Sequence, residues 1–197
     1  MSIKFNNRPN PHVINKVFEG NKYVVNHDYF ISRSVAVVGV VFVIPLIGSM
    51  HVLITQRSNK MRDEANKFGV PCGYLDWDES GYEAMVREVY EETSLYLPEY
   101  KDLLITNNNE KPMYIQDNPN KDLRQNVSLI YLSVYDFTKN MDRFPTGVEK
   151  YSDKETANVK WLSLVDFYAK SNEMEWAFHH DETINDALKK YNDIVKS

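Results

Sequence analysis

Glu88, Glu91 and Glu92 stand at i, i+3 and i+4 in a stretch with helical periodicity, a spacing that gathers three carboxylates along one side of a helix. Like charges so spaced repel one another, and a hard divalent cation with oxygen ligands is the natural compensation. The only basic residue in Gly81 to Leu95 is Arg87, with Glu83 one turn before it and Glu91 one turn after. Its planar fork can hold two carboxylate oxygens at once. A solvated helix face would instead intersperse Lys with Glu at i, i+4, which this stripe does not do.

The helix that carries these acids also has an apolar side. Tyr82, Met85, Val86, Val89 and Thr93 fall beside the acidic stripe and can bury against a sheet, and Ser80 or Glu79 can cap the start. Strands are expected at 36–44, 51–55, 103–106, 126–134 and 158–162, with helices at 164–170 and 182–196. The stretch 107–121, rich in Asn, Lys and Asp, reads as a long polar loop, and 107–124, with Arg124 at its end, as a substrate lid. Mixed strands followed by segregated helices predict an α/β/α sandwich with a mixed sheet.

Composition agrees with an enzyme domain. Of 197 residues, 43% are apolar and 13% aromatic, enough for a substantial core. A net charge of −5 argues against a nucleic-acid scaffold while leaving a nucleotide substrate open, since bound metal reverses the local field. A single cysteine, Cys72, forms no intrachain disulfide, so a reducing cytoplasmic setting is the default expectation. The N terminus lacks an apolar core of signal-peptide length. The uncharged run from Val35 to Met50 is short for a membrane span and is broken by Pro45 and Gly48, so it reads as a buried strand and turn, and no membrane partner is expected.

Gly73, Glu79, Arg87-Glu88-Val89, Glu91-Glu92 and Leu95 together resemble the signature box of the Nudix hydrolases, G-x5-E-x7-R-E-U-x-E-E-x-G-U, with U a bulky apolar residue. Ser94 alone departs, standing where the family has the glycine that ends the helix in a left-handed turn. The resemblance implies a Nudix-type α/β/α sandwich over 31–197, preceded by an N-terminal extension over 1–30. It also implies Glu88, Glu91 and Glu92 as ligands of Mg²⁺, with Mn²⁺ as a substitute, and Glu79 and Arg87 as the groups that steady them. The chemistry is attack of water on one phosphorus of a pyrophosphate linkage, with Glu91 or Glu155 taking the proton. Glu155 is singled out because it lies in a polar loop six residues before Trp161.

The substrate expected is a small nucleotide derivative, a nucleoside diphosphate joined to another group in the manner of ADP-ribose. Two alternatives remain: a coenzyme A pyrophosphatase, and a Nudix-fold regulator that binds such a nucleotide without cleaving it. The segment from Leu53 to Gly73, with Arg57 and Arg62, is similar to the pattern preceding the box in coenzyme A pyrophosphatases, but Asn66, Val70 and Cys72 replace its internal glycine, phenylalanine and first box-proximal glycine. Trp176 to Asp181, with Ile184 and Ala187, looks like the start of the C-terminal helix in ADP-ribose-type members, where His179 and His180 are read as capping and packing residues. Arg57, Arg62 and Arg124 are the candidate phosphate-binding residues. Trp77, Tyr74 and Tyr114 can stack a base. Family resemblance also raises the prospect of a homodimer.

Overall fold

Ten residues without a charge, Val35–Ile44, form the strand around which the larger part of the chain is built. The computed structural model describes residues 12–19, 22–30, 35–76, 78–106, 110–117, 126–149 and 154–196, and the chain falls into two units, Met1–Ser34 and Val35–Ser197. In the first unit, β1 (His12–Glu19) pairs antiparallel with β2 (Lys22–Phe30), His12 opposite Phe30 and Glu19 opposite Lys22. Secondary structure in this stretch was not foreseen from the sequence.

The second unit carries β3 (Val35–Ile44), β4 (His51–Arg57), β5 (Phe68–Gly69), β6 (Cys72–Tyr74), β7 (Tyr114–Gln116), β8 (Val127–Asp136) and β9 (Thr156–Ser163). Its helices are α1 (Gly81–Thr93), α2 (Leu164–Lys170) and α3 (His180–Lys196). The sheet runs β5-β4-β3-β8-β7, with β9 on the other edge of β4. β3 and β8 are parallel, whereas β3–β4, β4–β9 and β7–β8 are antiparallel, so the sheet is mixed as expected.

Successive residues of a strand point to opposite faces, and β3 uses both. Val38, Val40 and Phe42 pack with Val52, Ile54, Ile130, Leu132 and Val134 beneath Phe167 of α2 and Ile184, Ala187 and Leu188 of α3. Val37, Val41 and Val43 pack with Leu53, Tyr131 and Tyr135 beneath Ala84, Met85 and Val89 of α1. Helices thus cover both faces, and the α/β/α sandwich is the observed architecture.

β3 and β4 pair only at Phe42–Val52 and Val43–His51 and then diverge. The segment Phe68–Tyr74 fills the gap: β5 pairs with Thr55 and Gln56 of β4, and β6 pairs with Ala36, Val37 and Val38 of β3. The Gly39 N–H, left without a strand partner there, donates to the Pro71 carbonyl at 2.9 Å. This wedge carries Cys72 and Gly73 to the foot of α1.

Two sequence expectations are corrected. A strand at 103–106 is instead the end of a 3-10 helix, Leu97–Leu103, started by Pro98; Leu97 and Leu103 are buried under α1, and only Leu104 bridges the sheet, opposite Tyr135. The expected polar loop 107–121 contains β7, because the open edge of β8 offers unpaired backbone groups that Tyr114–Gln116 satisfy.

Candidate active site

α1 begins in a capping box: the Ser80 hydroxyl accepts from the Glu83 N–H at 3.3 Å, and the Glu83 carboxylate accepts from the Ser80 N–H at 2.8 Å. It lies close on the sheet because Gly39 sits beneath it. A Cβ there would stand 3.0 Å from Val89 Cγ2 and 3.1 Å from Met85 Cγ. The helix stops at Ser94, whose backbone is left-handed at φ 57° and whose N–H donates to the Tyr90 carbonyl at 2.8 Å. Ser94 therefore makes the turn for which the family motif uses glycine, at the cost of a strained residue, on the order of 1 kcal/mol.

Arg87 is the hub of the acidic stripe. Its Nε and Nη2 donate to the two oxygens of Glu79 at 3.1 and 2.7 Å, Nη1 donates to Glu88 at 2.8 Å and to Glu91 at 3.0 Å, and Nη2 also reaches the Tyr74 carbonyl at 3.0 Å. Glu79 accepts in addition from the Asp76 N–H at 2.7 Å, and its carboxyl is held below the usual range chiefly by the Arg87 hydrogen bonds. The guanidinium thus aligns three carboxylates and ties the helix to the backbone at the end of β6.

Glu92 faces inward and is buried. The Thr55 hydroxyl donates to one of its oxygens at 3.0 Å and the Cys72 N–H to the other at 3.2 Å, while burial pushes its pKa up to about 8. Glu88 is likewise raised, by burial first, against the opposing pull of Arg87. It lies so close to the β6 backbone that a Cβ on Gly73 would collide with its carboxylate, which explains the glycine at that position. Cys72 is turned toward the opposite face of the sheet, and burial pushes its thiol well up, which disfavours the thiolate that a nucleophile needs.

Among the described residues, no three His, Cys, Asp or Glu side chains already stand together at metal-ligand spacing. The donor chemistry fits a hard cation nevertheless. Glu88 and Glu92 are carboxylates whose raised pKa values record desolvation that a bound divalent ion would offset, and Glu91 is exposed beside them on the same stripe. Arg87 engages only Oε1 of Glu88 and Oε2 of Glu91, so the second oxygen of each carboxylate could turn to a cation while the guanidinium holds the first.

The remaining candidates divide. Glu155 is exposed, and its carbonyl accepts from the Ser58 N–H at 2.7 Å; its charge reaches Glu88 and Cys72, so it belongs to the same neighbourhood. Arg57 pairs with Thr156 at the end of β4, two residues beyond Thr55, and its charge acts on Glu92. Arg62 is exposed on the following loop. Tyr74 is exposed beside Arg87, whereas Tyr114 packs on the α3 face of the sheet, away from the acids. Trp77 and Arg124 lie outside the described residues. His180 is buried and accepts from the Val70 N–H at 3.1 Å, a packing role as expected. Sequence reasoning missed Thr55, which holds Glu92. The available signal was a polar residue two positions after Leu53, on the same face of an apolar strand.

The fold recurs in known structures. By structure, the chain is similar to the NUDIX domain of Shewanella oneidensis NrtR complexed with ADP ribose, with a TM-score of 0.57 and 20% identity over 82% of this chain and 90% of that one. It is similar to a bifunctional NMN adenylyltransferase/ADP ribose pyrophosphatase from Francisella tularensis complexed with AMP and Mn ion, with a TM-score of 0.58 and 24% identity over 82% of this chain, though it spans only 42% of that protein. A mutT/nudix family protein from Listeria innocua matches with a TM-score of 0.56 and 21% identity, over 82% of this chain and 96% of that one. No curated protein matches the sequence. A NUDIX domain profile matches residues 37–186, and the chain belongs to the Nudix family. Its membership, with the acids of the box complete, makes it a hydrolase acting on pyrophosphate bonds.

Proposed function

We propose that the chain hydrolyses the pyrophosphate linkage of a nucleoside diphosphate joined to another group, with ADP-ribose as the working substrate, and that Glu88, Glu91 and Glu92 hold the divalent metal, Mg²⁺ or Mn²⁺. The observation that carries this reading is the pair of buried carboxylates, Glu88 and Glu92, brought against the β6 turn and aligned with Glu91 by α1 and Arg87. A bound divalent ion would neutralise charge on the diphosphate and lower the pKa of the attacking water. Arg87 orients Glu79, Glu88 and Glu91, Thr55 orients Glu92, and the wedge backbone fixes how closely Glu88 can approach. The proton goes to Glu91 or Glu155, both exposed to solvent. The ADP ribose bound to one structural neighbour and the Mn ion bound to another support the substrate class and the metal. A cytoplasmic setting and a homodimer belong to the same proposal, the latter readable by light scattering.

The test is turnover of ADP-ribose, coenzyme A, dinucleoside polyphosphates, NADH, nucleotide sugars and nucleoside triphosphates with Mg²⁺, the products identified by mass. Glu91→Gln and Glu92→Gln should each lower turnover on the order of a thousandfold with the fold intact. Full activity in both variants at saturating Mg²⁺, or in wild type freed of metal, would sink the metal assignment. Glu155→Gln compared with Glu91→Gln assigns the proton acceptor by the loss of the acid limb in the pH–rate profile, where the rate rises as the base loses its proton.

A further inference from the structure

Between two anchored points the chain makes an outward loop with a left-handed backbone. Trp176 bridges Phe68 and its indole N–H donates to the Ser171 carbonyl at 3.1 Å; His180 is buried against Val70. Between them Phe178 (φ 52°) and His179 (φ 59°) are both left-handed, although neither is glycine. Such a conformation persists only where the surroundings impose it, and its presence points to a use. Here it projects the Phe178 ring outward, 45% exposed, with the guanidinium of Arg57 5.0 Å above its centroid. Arg57 Nε and Nη2 both donate to the Asp63 carbonyl at 3.2 Å, so the guanidinium is held from its edge by the loop and from its face by the ring. It occupies the end of β4, between Thr55, which holds Glu92, and the strand partner Thr156, which follows Glu155.

We propose that Phe178 is a positioning residue, whose ring, presented by the left-handed loop, fixes Arg57 as the arm that binds the diphosphate of a nucleotide. The inference rests on the hydrolase reading for the substrate class, and it adds a residue from outside the box to the binding machinery. A phenylalanine that merely filled the fold would be expected inside the core, where Phe167 already lies under α3. At Phe178 the backbone is strained and the ring is half in water; its edge meets the ring of buried His180, with centroids 5.7 Å apart, and its face is given to Arg57.

The test uses ADP, whose binding to the full chain with Mg²⁺ is measured by calorimetry, independently of whether ADP-ribose is hydrolysed. Phe178→Gly suits the left-handed backbone, so its melting temperature should be unchanged or higher while ADP binding weakens about tenfold. Phe178→Trp and Phe178→Tyr should stay within about twofold of wild type, since both keep a ring face. Arg57→Ala should weaken binding at least as much, and Arg57→Ala/Phe178→Gly no further than Arg57→Ala alone. In arginine side-chain NMR, the Arg57 Nε–H signal should move and exchange faster in Phe178→Gly. Wild-type ADP affinity in Phe178→Gly, additive losses in the double variant, an unmoved Arg57 signal, or no ADP binding by the wild type would each overturn the proposal. ADP binding with the expected pattern in a chain that hydrolyses none of the panel would instead defeat the hydrolase reading and leave this one standing.

Discussion

Replacing Arg87 by lysine keeps the charge and removes the fork. The guanidinium makes five hydrogen bonds between 2.7 and 3.1 Å, two to Glu79 and one each to Glu88, Glu91 and the Tyr74 carbonyl. An ammonium is a single point and cannot span Glu79, Glu88 and the Tyr74 carbonyl together, so about three of these bonds are lost. Charge-assisted bonds contribute up to about 3 kcal/mol each, but the Arg87 side chain is 27% exposed, and solvent screening brings each to about 1 kcal/mol. Arg87→Lys should therefore cost about 3 kcal/mol. Arg87→Met should cost more, about 3–5 kcal/mol, because it leaves Glu79 and Glu88 unpaired. Urea unfolding followed by tryptophan fluorescence measures both, in the absence and presence of Mg²⁺. Added metal should recover part of the loss by offsetting the exposed carboxylate repulsion. A Lys variant within about 0.5 kcal/mol of wild type would refute the claim that fork geometry, rather than charge, organises the stripe.

Three further outcomes are expected. Ser94→Gly should raise stability by up to roughly 1 kcal/mol with activity retained, because the left-handed cap then carries no Cβ; a loss of stability in urea would contradict the strain at φ 57°. Gly73→Ala should lower turnover on the order of a hundredfold through displacement of Glu88, and an active variant would show that Glu88 need not approach the β6 backbone. His180, its pKa lowered to about 3 first by burial and then by Arg57 and His179, favours the folded state as neutral imidazole. Its contribution is complete above the unfolded value near 6.5 and falls as pH drops toward the folded one, by up to about 1.4 kcal/mol per unit, so His180→Asn should flatten the acid limb of the stability curve, and an unchanged limb would rule the linkage out.

What was legible in the sequence was whatever a single segment encodes by itself. β3, β8 and α1 followed from apolar runs and periodicity, and the helix over 164–170 was placed at its observed bounds. The wedge was not legible: Phe68–Gly69 and Cys72–Tyr74 become strands only because β3 and β4 diverge and leave backbone groups to pair. The same holds for β7, whose residues carry no strand pattern strong enough to show against their polar surroundings, and for Leu104, where a 3-10 turn outcompetes the expected strand. At the site, the acids and Arg87 were readable from spacing, whereas Thr55, the Cys72 N–H and the Arg57–Phe178 contact arise from tertiary pairing. Ser94 shows the limit from the other side, since a serine in place of the glycine does not tell how the helix ends and only the backbone reveals the left-handed turn.

The alternation along β3 gives this strand a parity. Even-numbered Val38, Val40 and Phe42 are read by α2 and α3, which carry none of the acids, while odd-numbered Val37, Gly39, Val41 and Val43 are read by α1, which carries the acids of the stripe. A scan of conservative substitutions through the strand should therefore alternate in phenotype from one residue to the next. Even positions would lower the melting temperature and leave turnover per folded molecule intact; odd positions would tilt or lift α1 and detune catalysis out of proportion to any loss of stability. One strand would thus separate the tolerance of the scaffold from the tolerance of the chemistry, residue by residue, without touching a single acid.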